Sequence, residues 1–178
     1  EAQKIVADIK QFGGRAHAFG VDLSNVESIK KLKSQVSSAG LAIDVLVNNA
    51  GHGLFGPMEM ASDEIIEQQF NTNLFGLIKT MKAVLPQMKT QQSGVIINIS
   101  SIGGLIAIPF QGLYCSSKYA LEGFTEALRM EVAAFNIGVT IVEPGGARTG
   151  FRYGSSRLSS RLAAYDDTPV SMVRRMLE

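Results

Sequence analysis

A chain of 178 residues, 46% hydrophobic and 19% charged, is long enough to bury one sizeable core and is most simply a single domain. Its formal charge of +1, with Lys and Arg scattered rather than clustered, excludes the basic footprint of a nucleic-acid or anionic-membrane binder. No apolar run approaches the ~20 residues of a membrane span, and a cytoplasmic setting is the expectation.

In chain order, residues 1–12 read as an amphipathic helix, with Ile5, Val6 and Ile9 on one side, Lys4, Asp8 and Lys10 on the other, and Gly13 and Gly14 ending it. A strand is predicted over 15–22, a helix from about 26 to 38, and a strand over 43–47. Next come a long helix over 63–88, a strand over 95–100, a helix over 112–135 and a strand over 139–143. Strands alternating with helices of this length predict parallel βαβ units with right-handed crossovers.

Within that frame, Tyr114 and Lys118 are four apart on a predicted helix and so share one face. A phenol with a pKa near about 10 is a poor base at neutral pH, and an adjacent ammonium favours the phenolate. Ser101 follows the β-branched run Val95-Ile96-Ile97-Asn98-Ile99-Ser100, read as a buried parallel strand, at the carboxyl end where open α/β sheets bind ligands. Its hydroxyl can bond a carbonyl oxygen as charge develops there. A Tyr and a Lys at this spacing also arise from packing alone, so three further signals carry the reading. They are Asn48-Asn49-Ala50-Gly51 after an apolar strand, Asn73 inside a helix where asparagine is a poor helix former, and Pro144-Gly145 after the next strand.

With these residues assembled, the sequence resembles the short-chain dehydrogenase/reductase family, the NAD(P)-dependent oxidoreductases, from residue 1 to about residue 150. The resemblance implies an α/β fold: one Rossmann-like, doubly wound parallel sheet, with residues 150–178 as a substrate lid. It implies hydride transfer between nicotinamide and a ketone or secondary alcohol, with Tyr114 as general acid/base, Ser101 polarising the substrate oxygen, Lys118 on the nicotinamide ribose, and Asn73 distorting its helix to hold a proton-relaying water. It places Asp22 and the Leu23 backbone against the adenine, and Asn48, Ala50 and Gly51 beside the cofactor. Pro144 and Gly145 would turn the chain over the nicotinamide, with the Ala147 backbone and the Thr149 hydroxyl on its carboxamide. Family members often carry valine or isoleucine at the Ala147 position. The cofactor is NAD or NADP, with NADP preferred, and relatives pair the two long helices in homodimers or homotetramers.

The family's glycine-rich pyrophosphate turn has no counterpart, because Gly51-His52-Gly53 falls too late. Set against the family, the chain begins within the second helix, which predicts a part of a longer enzyme and a sheet with bare strand edges. Two rival readings are a non-catalytic nucleotide-binding scaffold or inactive fragment, which usually loses the tyrosine or lysine, and a dehalogenase-like lyase, which typically replaces the lysine with arginine.

The pocket wall is expected from residues 103–113, with Leu105, Ile106, Ile108 and Phe110 favouring a substrate with a hydrophobic body. Arg148, Arg152, Arg157 and Arg161 can meet an acidic group or stay solvated. Cys115 reads as a packing residue, Asp166 and Asp167 as a turn, and His17 and His52 lack partners at metal-ligand spacing, so no metal is expected.

Overall fold

The computed structural model describes every residue except 148, 150, 152–155, 160 and 178, and the backbone alone at 170, 173, 176 and 177. Its centre is a parallel three-stranded sheet of β1 (Val45–Asn48), β3 (Gly94–Ile99) and β4 (Ile137–Val142), in the order β1-β3-β4. The register pairs Asn48 with Asn98 and Ile96 with Val139. A second parallel pair joins β2 (Gly53–Phe55) to β5 (Ser156–Leu158). Four helices matter for the site: α2 (Val26–Ser38), α3 (Asp63–Phe70), α4 (Gly76–Gln91) and α5 (Gly112–Val132). Two more, α1 (Ala2–Gln11) and α6 (Pro169–Leu177), lie near the chain's ends.

The core follows from periodicity. Along α5, Leu121, Leu128 and Val132 recur at helical spacing and meet Leu77, Met81, Val84 and Met88 of α4 over Ile96, Ile137 and Val139 of the sheet. Leu77 and Leu121 are fully buried, each contributing about 1.5–3 kcal/mol by transfer from water. In β3, Gly94, Ile96 and Asn98 point into this core, whereas Val95 on the alternate face is exposed. The sheet is therefore covered on one face only. Val45 and Val47 are each 53% exposed, and among the described residues β1 pairs only with β3, so one edge is bare as the sequence predicts.

Two sequence expectations need correction, and one pairing was not expected. Residues 15–22 form no strand; they run without regular structure and largely exposed, because a strand exists only where a neighbour takes its hydrogen bonds, and none of the described strands lies beside them. The long helix over 63–88 is two helices, α3 capped by the Ser62 hydroxyl and α4 running on to Gln91, joined by a π-helical turn at Asn71–Phe75. The β2–β5 pair is not anticipated at all. Elsewhere boundaries move by a few residues: α5 gives way to a 3-10 turn at Ala133–Phe135, and β4 begins at Ile137.

Candidate functional site

β3 delivers Ser101 just past its carboxyl end, where the Ser101 hydroxyl accepts from Gly103 N–H at 3.1 Å and starts a tight turn, Ile102–Gly104. α5 packs against that turn and brings Tyr114 and Lys118 onto its buried face. A Cβ built on Gly103 would lie 3.3 Å from Tyr114 Cε1 and 3.5 Å from Ser101 Oγ, so the glycine lets the phenol and the hydroxyl close on one point. Burial pushes the Tyr114 pKa up; a hydrogen bond with Ser101 opposes this.

That direction differs from the expectation that Lys118 brings the phenol down. Lys118 Nζ stands 5.8 Å from the Tyr114 ring centroid and donates to the Ile99 carbonyl at 2.8 Å, so desolvation dominates at the phenol. Lys118 is itself desolvated, and its pKa falls to about 8. At neutral pH the phenol keeps its proton and is poised to give it away.

Asn73 sits in the π-helical turn with its side chain fully buried. Its Nδ2 donates to the His52 carbonyl at 2.9 Å and to Ser117 Oγ at 3.3 Å, while its Oδ1 accepts from His52 N–H at 3.0 Å. The bulge thus ties the helix to the turn after β1 and to α5; such turns recur at functional sites. Gln69 and Ser117, which sequence reasoning missed, complete the network. Gln69 Nε2 donates to the His52 carbonyl at 3.0 Å, and Ser117 Oγ donates to the Tyr114 carbonyl at 2.7 Å. Their signal was positional: Gln69 is one turn before Asn73, and Ser117 adjoins Lys118.

Asn48 ends β1 and donates through Nδ2 to Asn98 Oδ1 at 2.8 Å, and Asn98 donates to Thr125 Oγ1 at 2.9 Å, a buried polar chain that holds β1, β3 and α5 together. Ala50 is exposed and Gly51 half-buried. A Cβ on Gly51 would stand 3.2 Å from Asn73 Oδ1 and 3.7 Å from Lys118 Nζ. The bare glycine therefore leaves a cradle beside an ammonium, which donates, and an amide oxygen that accepts and already holds His52 N–H; the ammonium fits a ribose hydroxyl.

The outlying residues are less enclosed. Asp22 is exposed, its carboxylate accepting from Ser24 N–H at 2.9 Å and from the Ser24 hydroxyl at 2.6 Å, which lowers its pKa. Asn25, not Asp22, caps α2. Leu23 is half-buried against Gly76, just beyond the bulge. Pro144, Gly145, Ala147 and Thr149 form an exposed loop tied to the Ser101 turn by Ile102 N–H donating to the Pro144 carbonyl at 3.0 Å. Arg148 and Arg152 lie outside the described residues. Arg157 donates to Gln68 at 2.6 Å and Arg161 pairs with Asp166 at 2.6 Å, both on the surface.

From the segment after β4, the Phe151 ring centroid lies 6.0 Å from that of Tyr114. A cavity of about 240 Å³ opens beside Leu113, the neighbour of Tyr114, and is lined by Leu54, Phe55, Pro57, Met58 and Phe110. Of the four apolar wall residues expected from sequence, Phe110 lines it, whereas Leu105 and Ile106 are more than half exposed. Among the described residues no three His, Cys, Asp or Glu side chains converge as metal ligands, and no helix is long and apolar enough to cross a membrane.

A model of the short chain dehydrogenase family matches residues 1–157. Over 138 residues the chain is 47% identical to the 3-ketodihydrosphingosine reductase of Bacteroides thetaiotaomicron, covering 78% of this chain and 51% of that protein. A short-chain dehydrogenase from Streptomyces avermitilis superposes with a TM-score of 0.89 at 34% identity, over 99% of this chain and 66% of that one. A metagenomic short-chain oxidoreductase in complex with NADP superposes with a TM-score of 0.77 at 31% identity, over 83% of this chain and 67% of that one. The chain thus spans about half the length of the curated relative. With its parallel α/β architecture and its matched sequence in agreement, the chain belongs to the short-chain dehydrogenase/reductase family of oxidoreductases.

Proposed function

We propose that the protein containing this chain is an NADP-preferring oxidoreductase that interconverts a ketone and a secondary alcohol, on a substrate with an apolar body. The observation that carries it is the convergence of Ser101 and Tyr114 on Gly103, beside a cradle at Gly51 bounded by Asn73 and Lys118. When bound, the reduced nicotinamide supplies the hydride. Tyr114, kept protonated by burial, gives its proton to the oxygen of the carbonyl being reduced. Ser101, whose lone pair is engaged by Gly103 N–H, would turn its O–H from Tyr114 to the same oxygen and steady its developing charge. Lys118 would hold the ribose hydroxyls, Asn73 behind it fixes the loop that carries Gly51, and Asp22, Leu23, Asn48, Ala50, Pro144, Gly145, Ala147 and Thr149 would make the outer contacts.

Two further facts support the reading. The matched Bacteroides relative is by name a reductase of a 3-keto compound, and the metagenomic neighbour is complexed with NADP. The apolar cavity beside Leu113 suits the hydrophobic part of such a substrate. We place the protein in the cytoplasm as a homodimer or homotetramer, with no nucleic-acid or membrane partner.

The test is Tyr114→Phe in the full-length protein, assayed with NADPH across a panel of apolar ketones. Turnover should fall by at least about 100-fold, the size of a lost general acid, with NADPH affinity little changed. Turnover retained by the variant would refute the mechanism.

A further inference from the structure

Glu122 takes no part in the proposed ketone reduction, but the role inferred for it rests on that proposal, through the place of Lys118 in the ribose cradle. It lies one turn beyond Lys118 on α5, so Tyr114, Lys118 and Glu122 form one row at a spacing of four. Its Oε1 is buried without a hydrogen-bond partner, and the same holds for Ser100 Oγ. Both atoms flank Gly104. A Cβ there would stand 2.9 Å from Glu122 Oε1 and 2.7 Å from Ser100 Oγ, closer than real Cβ contacts come, so the glycine makes the space the carboxyl occupies. Ser100 follows Ile99, whose carbonyl accepts from Lys118 Nζ at 2.8 Å. Carboxyl and ammonium therefore reach the same strand end from the same helix face.

Lys118 is almost wholly buried and forms no close ion pair among the described residues, a costly state for an ammonium unless an opposite charge stands near. The geometry points to Glu122 as the positioning residue that keeps Lys118 charged, its carboxylate supplying, from the space beside Gly104, the counter-charge that water cannot reach in to provide.

The surrounding charges define how this works. Tyr114 is the other titratable group facing Lys118, and it is neutral at neutral pH. Facing Glu122, besides Lys118, are Glu126 on the same helix and Glu143 just past β4. Burial raises the Glu122 pKa most, the nearby Ser100 hydroxyl opposes this although the two oxygens are not aligned as a hydrogen bond, Glu143 and Glu126 raise the pKa further, and Lys118 lowers it least. Glu122 in turn raises the Lys118 pKa against its desolvation.

Competitive acetylation of the full-length protein, with the Lys118 peptide quantified by mass spectrometry across pH, reads the ionisation of Lys118 without any need for turnover. Glu122→Gln should lower the acetylation midpoint by about one pH unit, the scale of a partly screened charge pair that is not in direct contact. Glu122→Asp should hold the midpoint above that of the Gln variant. A midpoint unmoved or raised in Glu122→Gln overturns the proposal. Should that variant not fold, the smaller Glu122→Ala should lower the midpoint in the same direction, and a midpoint unmoved or raised there overturns the proposal equally. A purely structural Glu122 would give no difference between the Asp variant, which keeps the charge, and the Gln variant, which does not. Absence of ketone turnover in the unmodified protein would defeat the functional reading while leaving the acetylation result standing.

Discussion

The Asn73 side chain grips both sides of residue 52: its Oδ1 accepts from His52 N–H at 3.0 Å, and its Nδ2 donates to the His52 carbonyl at 2.9 Å. These two bonds fasten the π-helical turn to the loop that carries Asn48, Ala50 and Gly51. Asn73→Ala leaves the His52 carbonyl with its bond from Gln69 but removes the side-chain acceptor of the N–H. Losing one buried pairing costs about 1–3 kcal/mol, measurable as a lower urea midpoint. Activity should drop by more than about tenfold in the same variant, because the loop positions the cradle.

Lys118 makes stability depend on pH. Its folded pKa of about 8 lies below the usual 10.5, so the folded state binds fewer protons than the unfolded chain between those values. Stability therefore rises as pH climbs through that window, and the burial penalty stands in full below about 8. Lys118→Met removes the penalty. Its advantage over the unmodified protein should be on the order of 3 kcal/mol at pH 7 and should shrink toward pH 10, as followed by urea unfolding at both. A constant difference would contradict this.

Gly76 is where the bulge meets the chain before α2. A Cβ there would lie 2.7 Å from Leu23 Cβ and 2.9 Å from the backbone oxygens of Leu23 and Asn71, none of which can swing aside. Gly76→Ala should cost about 1–3 kcal/mol and weaken NADPH binding in a fluorescence titration by displacing Leu23. Gly123, on α5, has open space around its would-be Cβ. Gly123→Ala should instead stabilise by up to about 1 kcal/mol through helix propensity.

β1 offers an unpaired edge beside two exposed valines, Val45 and Val47. The isolated 178-residue chain should self-associate in light scattering. Val47→Lys should slow this with a stability change within about 0.5 kcal/mol. Strong hydrogen-exchange protection across residues 43–47 in a monomer would contradict the bare edge.

Local geometry was legible from the residues. Tyr114 and Lys118 share a face because the helix that carries them sets the spacing, and Ser101 stands past a strand because the apolar run before it stops there. Helix caps are equally local: Asn25 and Ser62 each accept from N–H groups within three residues. Asn73, a poor helix former between apolar neighbours, announced a disturbance, though not its π-helical form.

What the residues could not decide was whatever depends on a distant partner. Residues 15–22 have a strand's composition but no strand beside them, and the β2–β5 pair joins segments about a hundred residues apart with almost no local signal. The Tyr114 pKa goes up rather than down because burial by surrounding segments outweighs a lysine that faces a carbonyl. The sequence alone determined which chemical groups lie at which helix and strand positions, because those positions repeat over a few residues. Only the tertiary structure decided which of them lose water and which ammonium finds a counter-charge, because desolvation and Coulomb energy are set by everything packed within several ångströms, wherever it lies along the chain.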